Sequence, residues 1–330
     1  MRWVYRRILT AAFTLWGAAT LSFFLIRLMP GNPMDAFIAM MVQQYRGTMS
    51  YDEIVTLAKT LFGVKPTEPL WKQYLDYLAN LLRGNLGLSM IDRIPVTDYL
   101  VKALPWTVFL LSISLCISFA IGVLGGMLLA YKRGKFYEGG ITTFLMCWRG
   151  VPDYIVAIVV LWVFGYMLGL FPTRGAYSPE VTPGLTPQFI ADVLWHAALP
   201  MMSYVLTHFA FWTLMMRGST ISVLGEDYVT AAEARGLPGR RVMMAYVGRN
   251  AILPLFTMFM IAIGWIFGGS VFIETIFNYP GIGYYLVWAV TIRDYTLMQG
   301  CFLVIISAVV VGTLLADLLY SRLDPRVRME

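Results

Sequence analysis

Long apolar runs separated by short charged stretches dominate the chain, and their lengths decide how it is read. A bilayer's hydrocarbon core needs about 20 mostly apolar residues in helical form. Runs of that kind occur at Ile8–Met29, Pro105–Tyr131, Ile141–Phe171, Trp195–Met216, Ala251–Ile273 and Thr296–Tyr320. They predict an all-α integral membrane protein with six transmembrane helices. The first run follows Arg2, Arg6 and Arg7, as a secretory signal would. Its apolar stretch is too long for a signal and no A-x-A site follows, so it reads as a retained anchor.

The segment from Pro30 to Leu104 is polar enough to leave the membrane and carries two helix signatures. Ser50-Tyr51-Asp52-Glu53 is a capping box, followed by Ile54, Leu57, Ala58 and Leu61 on one face and a stop at Gly63. A second helix starts near Pro69, carries the stripe Trp71, Tyr74, Leu75, Leu78, Leu81 and Leu82, and ends at Gly84. The chain therefore divides into residues 1–104, a first transmembrane helix plus an external helical segment, and residues 105–330, a five-helix core.

Basic residues fix the expected orientation, because short cytoplasmic loops collect Lys and Arg. They cluster at the N-terminus, at Lys132, Arg133 and Lys135, between Arg217 and Arg249, and at Arg322, Arg326 and Arg328. The loop between spans three and four has only Arg174, and that between five and six only Arg293. Both termini are thus expected in the cytoplasm of a multi-pass protein of the plasma or inner membrane.

Composition strengthens this picture. Apolar residues make up 58% and charged residues 13%, against about 25% charged in an average globular chain. A soluble domain could not cover that much apolar surface. The net charge of +6 lies in cytoplasmic loops, facing membrane lipid, and calls for no nucleic acid. Cys116, Cys147 and Cys301 lie in or beside apolar runs without disulfide or zinc spacing. The 20 Met and 2 His form no ligand cluster, so packing accounts for the Met and no metal is expected.

The cytoplasmic stretch 217–250 is long for a connector between spans. Its centre, Asp227-Tyr228-Val229-Thr230-Ala231-Ala232-Glu233-Ala234-Arg235-Gly236-Leu237-Pro238, reads as a short exposed helix. Small alanines let another backbone approach. Glu226, Asp227 and Glu233 precede Arg235 in the order the helix dipole favours, and Gly236 permits a left-handed cap before Pro238. This segment resembles the EAA loop of ABC importer permeases, with Thr230-Ala231-Ala232 where that pattern has Glu-Ala-Ala and Gly236 at its glycine. The Thr departure and the late Ala251-Ile252-Leu253-Pro254 resemble the B-type permease of the dipeptide, oligopeptide and nickel branch.

Further stretches resemble the same branch in the same order: Arg27–Pro33, Asn80–Gly87, Glu274–Gly283, and Asp317–Tyr320 followed by Leu323–Arg328. The resemblance implies a type I importer permease core that forms half of a translocation path for peptides or similarly sized solutes such as oligosaccharides. It implies a second homologous permease, two ABC ATPase subunits and an external solute-binding protein as partners. It also makes Glu226, Asp227, Tyr228, Ala231, Ala232, Glu233, Arg235 and Gly236 the ATPase-coupling element. No G-x-x-x-x-G-K-[ST] occurs, so this chain is not expected to be an enzyme or to hold a cofactor, and ATP with Mg belongs to the partner ATPases.

Ionisable groups inside spans are costly and point to function. Arg149 and Asp153 in span three either line the path or a gate, or neutralise each other as a structural pair four residues apart. His208 and Trp212 offer a solute a polar and stacking contact, or are an ordinary interhelical histidine and its neighbour. A self-sufficient secondary transporter or channel is the alternative; it predicts internal repeats with paired broken helices and midplane carboxylates, and neither is visible. A membrane enzyme would need a catalytic constellation at one membrane face, and none is visible.

Overall fold

The computed structural model describes residues 2–28, 38–39, 41–42, 48–62, 69–266 and 271–323. The motif Met29–Pro33, the stop at Gly63 and the tail Asp324–Arg328 lie outside these residues, as do the side chains of Leu57, Ala58, Leu61 and Asp317. The elements in order are α1 Arg2–Leu28, α2 Tyr51–Phe62, α3 Leu70–Leu82, α4 Val96–Tyr131, α5 Phe136–Trp148, α6 Asp153–Val160, α7 Pro187–Leu224, α8 Asp227–Ala234, α9 Arg249–Ile266, α10 Val271–Ile276, α11 Ile282–Thr291 and α12 Tyr295–Leu323. Two π-helical stretches, Leu161–Met167 and Val242–Gly248, extend α6 and lead into α9. Among the described residues the only β pairing is an isolated bridge between Leu88 and Pro95.

Five described helices are long and apolar enough to cross a membrane: Tyr5–Ile26, Val96–Tyr131, Pro187–Leu224, Gly239–Gly264 and Tyr295–Leu314. The sixth candidate is not the continuous span expected over Ile141–Phe171. It is a broken pair, Phe136–Trp148 and Asp153–Met167, bent by 99°. Pro152 lacks an N–H and disfavours helix at the residue before it, and its own ψ of 145° is extended. The helix therefore stops and restarts at Asp153. The run expected over Ala251–Ile273 is also divided, since α9 stops at Ile266 and Val271–Ile276 is a separate element.

Two spans are longer than the apolar runs that announced them. α4 begins at Val96 because Pro105, taken as the start, sits inside the helix and removes only one donor. α7 begins at Pro187, where the Thr186 hydroxyl accepts a hydrogen bond from the Phe189 N–H at 3.2 Å and Pro187 occupies the first turn. The expected capping box forms at α2: Ser50 N–H donates to Glu53 at 2.8 Å, and Glu53 N–H donates to the Ser50 hydroxyl at 3.3 Å.

The packing face of α3 differs from the expected stripe. Trp71, Leu75 and Leu82 are exposed, whereas Tyr74, Tyr77, Leu78 and Leu81 are half-buried. The reason is aromatic complementarity with α1: Phe23 stacks on Tyr77 at 5.4 Å between centroids, Phe24 stacks on Tyr74 at 5.6 Å, and the Thr20 and Tyr74 hydroxyls hydrogen-bond at 2.7 Å.

The core is built on close helix crossings. α4 and α7 form the most extensive helix pair. A Cβ on Gly122 would lie 2.1 Å from Trp212 Cβ, and one on Gly126 would lie 2.4 Å from the Thr213 carbonyl oxygen. The glycines, four residues apart, let the two backbones meet, as small residues do between membrane helices. α9 and α12 cross in the same way, with a Cβ on Gly312 placed 2.4 Å from Gly264 Cα.

Candidate coupling and path sites

The stretch between α7 and α9 folds as a compact bracket. Glu226 precedes α8 in extended conformation, without a side-chain cap bond, and α8 runs from Asp227 to Ala234. Gly236 takes φ +73, donating its N–H to the Glu233 carbonyl at 2.8 Å. No atom lies within 4 Å of a Cβ placed on Gly236, so only the backbone conformation requires glycine there. Glu226, Asp227, Tyr228, Ala231, Glu233, Arg235 and Gly236 are all exposed.

Ala232 is different. It is 1% exposed and packs with Val229 against Val242, Met243 and Val247. The expectation that it offers a small outward surface is corrected: at i+3 from Val229 it lies on the inner face of α8, and its small side chain permits close approach within this chain. Val229, which sequence reasoning passed over, is its partner.

The bracket is tied to the spans. The cluster beneath α8 also touches Met127 of α4 and Val223 and Leu224 of α7. Ser219 donates to the Ala251 carbonyl at 2.7 Å, linking α7 to α9. Arg217 donates through Nε to Glu138 at 2.7 Å, linking α7 to α5. α8 therefore rests directly on α4 and α7, and α7 is in turn bonded to α5 and α9.

The break in the third span shapes the second site. Arg149 closes α5 and Asp153 opens α6, and they form no ion pair. The structural pairing that four-residue spacing allows is absent, because the bend at Gly150–Pro152 destroys the helical phase between them. The Arg149 guanidinium instead stands over the Phe211 ring at 5.0 Å. Asp153, His208 and Trp212 line one cavity of about 340 Å³ together with Tyr204, Phe211 and apolar side chains of α4 and α9. His208 and Tyr204 stack at 4.0 Å with planes 9° apart, and His208 Nδ1 lies 3.0 Å from the Tyr204 carbonyl oxygen. Trp212 is 2% exposed and its Nε1–H has no partner. The other histidine, His196, hydrogen-bonds through Nδ1 to the Asp192 carbonyl at 2.9 Å and lies away from this cavity.

Two buried carboxylates escaped the search for path residues. Glu274 on α10 accepts from the Thr107 hydroxyl at 2.9 Å, from Gly283 N–H at 2.6 Å and from Tyr284 N–H at 3.3 Å. Thr107 in turn accepts from Ile282 N–H at 2.9 Å. Gly281 is needed because a Cβ there would meet the Glu274 carboxyl at 2.4 Å. Asp294 accepts from Ser89, from Met90 N–H at 3.0 Å and from Leu297 N–H at 3.0 Å, joining the segment before α4 to the start of α12. Both are frame-holding residues. The acidic-residue-near-glycine pattern of the hairpin carried the signal for Glu274, while nothing local marked Asp294. Among the described residues no group of His, Cys, Asp and Glu has a metal-binding arrangement.

Residues 122–329 match the family described as the inner membrane component of binding-protein-dependent transport systems. Over 99% of both chains, the sequence is 31% identical to a di/tripeptide transport system permease protein of Pseudomonas aeruginosa. It is 30% identical, again over 99% of both, to a dipeptide transport system permease protein of Escherichia coli. It is also 30% identical to an oligopeptide transport system permease protein of Bacillus subtilis, over 98% of both chains.

Proposed function

The chain belongs to the inner membrane components of binding-protein-dependent transport systems and is an ABC importer permease, and from that premise we propose that its solutes are peptides. The observation that carries this reading is the end-to-end similarity to permeases named for di/tripeptides, dipeptides and oligopeptides. Oligosaccharides and the self-sufficient transporter find no support beside it. The chain pairs with a second, homologous permease, two ATPases and an external binding protein, and it hydrolyses no ATP itself. Both termini and α8 face the cytoplasm.

In this reading α8 is the ATPase-docking knob. Glu226, Asp227, Tyr228, Ala231, Glu233 and Arg235 form its surface, Gly236 ends it, and Ala232 seats it on the bracket. Closure of the ATPase pair pushes α8, and the bracket passes the push to α4, α5, α7 and α9. Arg149, Asp153, His208 and Trp212 belong to the solute path. A chain that merely formed a pore would need no exposed knob so firmly bound to its spans.

The test is reconstitution of the full complex in proteoliposomes with loaded binding protein. ATP-driven uptake of a labelled dipeptide is expected; uptake that proceeds without ATP, or none for any di- to oligopeptide, refutes the proposal. Orientation is read by labelling single cysteines in a background lacking Cys116, Cys147 and Cys301. One at Glu233 should react only from the cytoplasmic side and one at Leu82 only from the outside.

A further inference from the structure

We propose that the cavity at the broken third span is a subsite for the first residue of an incoming peptide, with Asp153 receiving its primary ammonium and Trp212 Nε1–H its first carbonyl oxygen. This rests on the peptide reading above and names the end of the peptide that the permease itself recognises.

The argument begins with two unsatisfied groups. A carboxylate within a membrane span is costly and ordinarily pairs with a cation or lines a polar path. Asp153 has no ion pair and no side-chain hydrogen bond among the described residues, while Arg149, the cation four positions before it, is engaged with the Phe211 ring at 5.0 Å. Trp212 is 2% exposed, yet its indole N–H has no acceptor. A buried donor without a partner carries a free-energy cost that ligand binding can remove. Both residues line the same cavity.

The shape and lining fit a small polar head on an organic body. About 340 Å³ lies at the low end of the roughly 300–1,000 Å³ typical of ligand cavities, enough for one residue and not for a whole oligopeptide. The remaining wall is mostly apolar and aromatic, with Leu111, Leu115 and Ile266 on one side and the stacked Tyr204–His208 pair on another. Because His208 Nδ1 is held on the Tyr204 carbonyl, the imidazole is fixed in orientation as a flat wall for a side chain. One carboxylate and one N–H donor match the amino end of a peptide, which offers a cation and, two atoms away, an acceptor. The carboxyl end has the opposite polarity and does not match. A sugar, without a cation, would leave Asp153 unpaired.

Asp153 also lies in the first turn of α6. The apolar wall strengthens its attraction for an ammonium relative to water. The break that ended the expected continuous span is thus what exposes a charged side chain to a cavity.

The experiment uses the full reconstituted complex and a lysine-free tripeptide, with its amino group free or acetylated, each supplied at saturating loaded binding protein. Uptake is normalised to the complex present in the membrane. Asp153→Asn is expected to reduce uptake of the free-amine peptide by about tenfold or more, the size expected when a buried countercharge is removed. Uptake of the acetylated peptide should change less than twofold, and Asp153→Glu should restore part of the preference. Equal reductions for both peptides, or none for either, overturn the proposal while leaving the peptide reading in place. Failure of the unmodified complex to import the free-amine peptide defeats the peptide reading itself. Photo-crosslinking in the unmodified complex covers the cases where Asp153→Asn fails to assemble or the binding protein refuses the acetylated peptide. A dipeptide with benzoylphenylalanine as its first residue should be captured between Tyr204 and Trp212 or at Met258, which also lines the cavity. Capture confined to other segments overturns the proposal.

Discussion

Ala231 and Ala232 are adjacent and chemically identical, but the first is exposed and the second buried, so substituting each separates docking from folding. Ala231 is exposed, with Asp227 four residues before it and Arg235 four after. In Ala231→Arg the new guanidinium gains about 0.2–0.5 kcal/mol from Asp227 and loses a similar amount against Arg235. The net cost to folding is therefore near zero, within the ~0.5 kcal/mol usual for surface changes. Ala232 is 1% exposed against Val229, Val242, Met243 and Val247. Ala232→Leu forces extra methylenes into a filled space and should cost about 1–3 kcal/mol, while Ala232→Glu would bury an unpaired charge and cost more. Thermal unfolding of the purified permease, retention of the ATPases through purification and peptide-stimulated ATP hydrolysis are measured for each. Ala231→Arg should keep the unfolding temperature and lose ATPase retention; Ala232→Leu should lower the unfolding temperature as well. If Ala231→Arg retains its ATPases and full stimulation, α8 does not enter a groove on them and the docking argument fails.

Gly236→Val should uncouple hydrolysis from uptake without steric overlap, since the strain lies entirely in its φ of +73; Gly236→Asn, which tolerates the left-handed region better, should retain more stimulated hydrolysis than Val. Glu274→Gln turns an acceptor into a donor facing the Thr107 hydroxyl and two N–H groups, and a loss of about 1–3 kcal/mol should appear as a lower unfolding temperature. Ser50 holds the Glu53 carboxyl below the usual carboxylate range by donating its backbone N–H and its hydroxyl to the carboxylate. Because the folded value lies below the unfolded one, the cap's contribution is present at neutral pH and lost as pH falls through the folded value. The protection of first-turn amides of α2 against exchange, relative to the intrinsic rate at each pH, should therefore fall on acidification in the wild type, with a much smaller change in Glu53→Ala.

Hydrophobic run length located the five helices long enough to cross a membrane and the bent pair that is the sixth candidate, because the bilayer imposes one length on every crossing. Their ends were harder to read. Pro105 looks like a first-turn residue but sits inside α4, since a long helix held by neighbours tolerates one missing donor. Pro152 has the same chemistry but lies between two helices, three residues after Arg149 ends the first and just before Asp153 opens the second, and the pair is bent by 99°. The α8 sequence announced its helix, dipole order and glycine cap from local rules. Which alanine faces inward depended on the distant π-helical stretch Val242–Gly248, and that partner cannot be seen in local spacing. The stripe on α3 failed for the same reason: Leu75 and Trp71 fit a helical period, but Phe23 and Phe24 on α1 select Tyr74 and Tyr77.

The two glycine crossings bear on how coupling crosses the membrane. Direct backbone contact at Gly122 and Gly126 leaves α4 and α7 little freedom to slide, since any substituent already overlaps Trp212 or Thr213. Trp212 therefore belongs both to the cavity beside the broken span and to the crossing that locks α7 onto α4. At one end of this same pair, Val223, Leu224 and Met127 seat α8. A push on α8 that tilts the α4–α7 pair as a unit must move one wall of the cavity, while Asp153 rides on the separate short helix α6. Separation of Asp153 from Trp212 would then release a bound amine end by pulling apart its two contacts. If α8 is the docking knob proposed above, the stiffness of the helix pair and the break in the third span would act together as one lever.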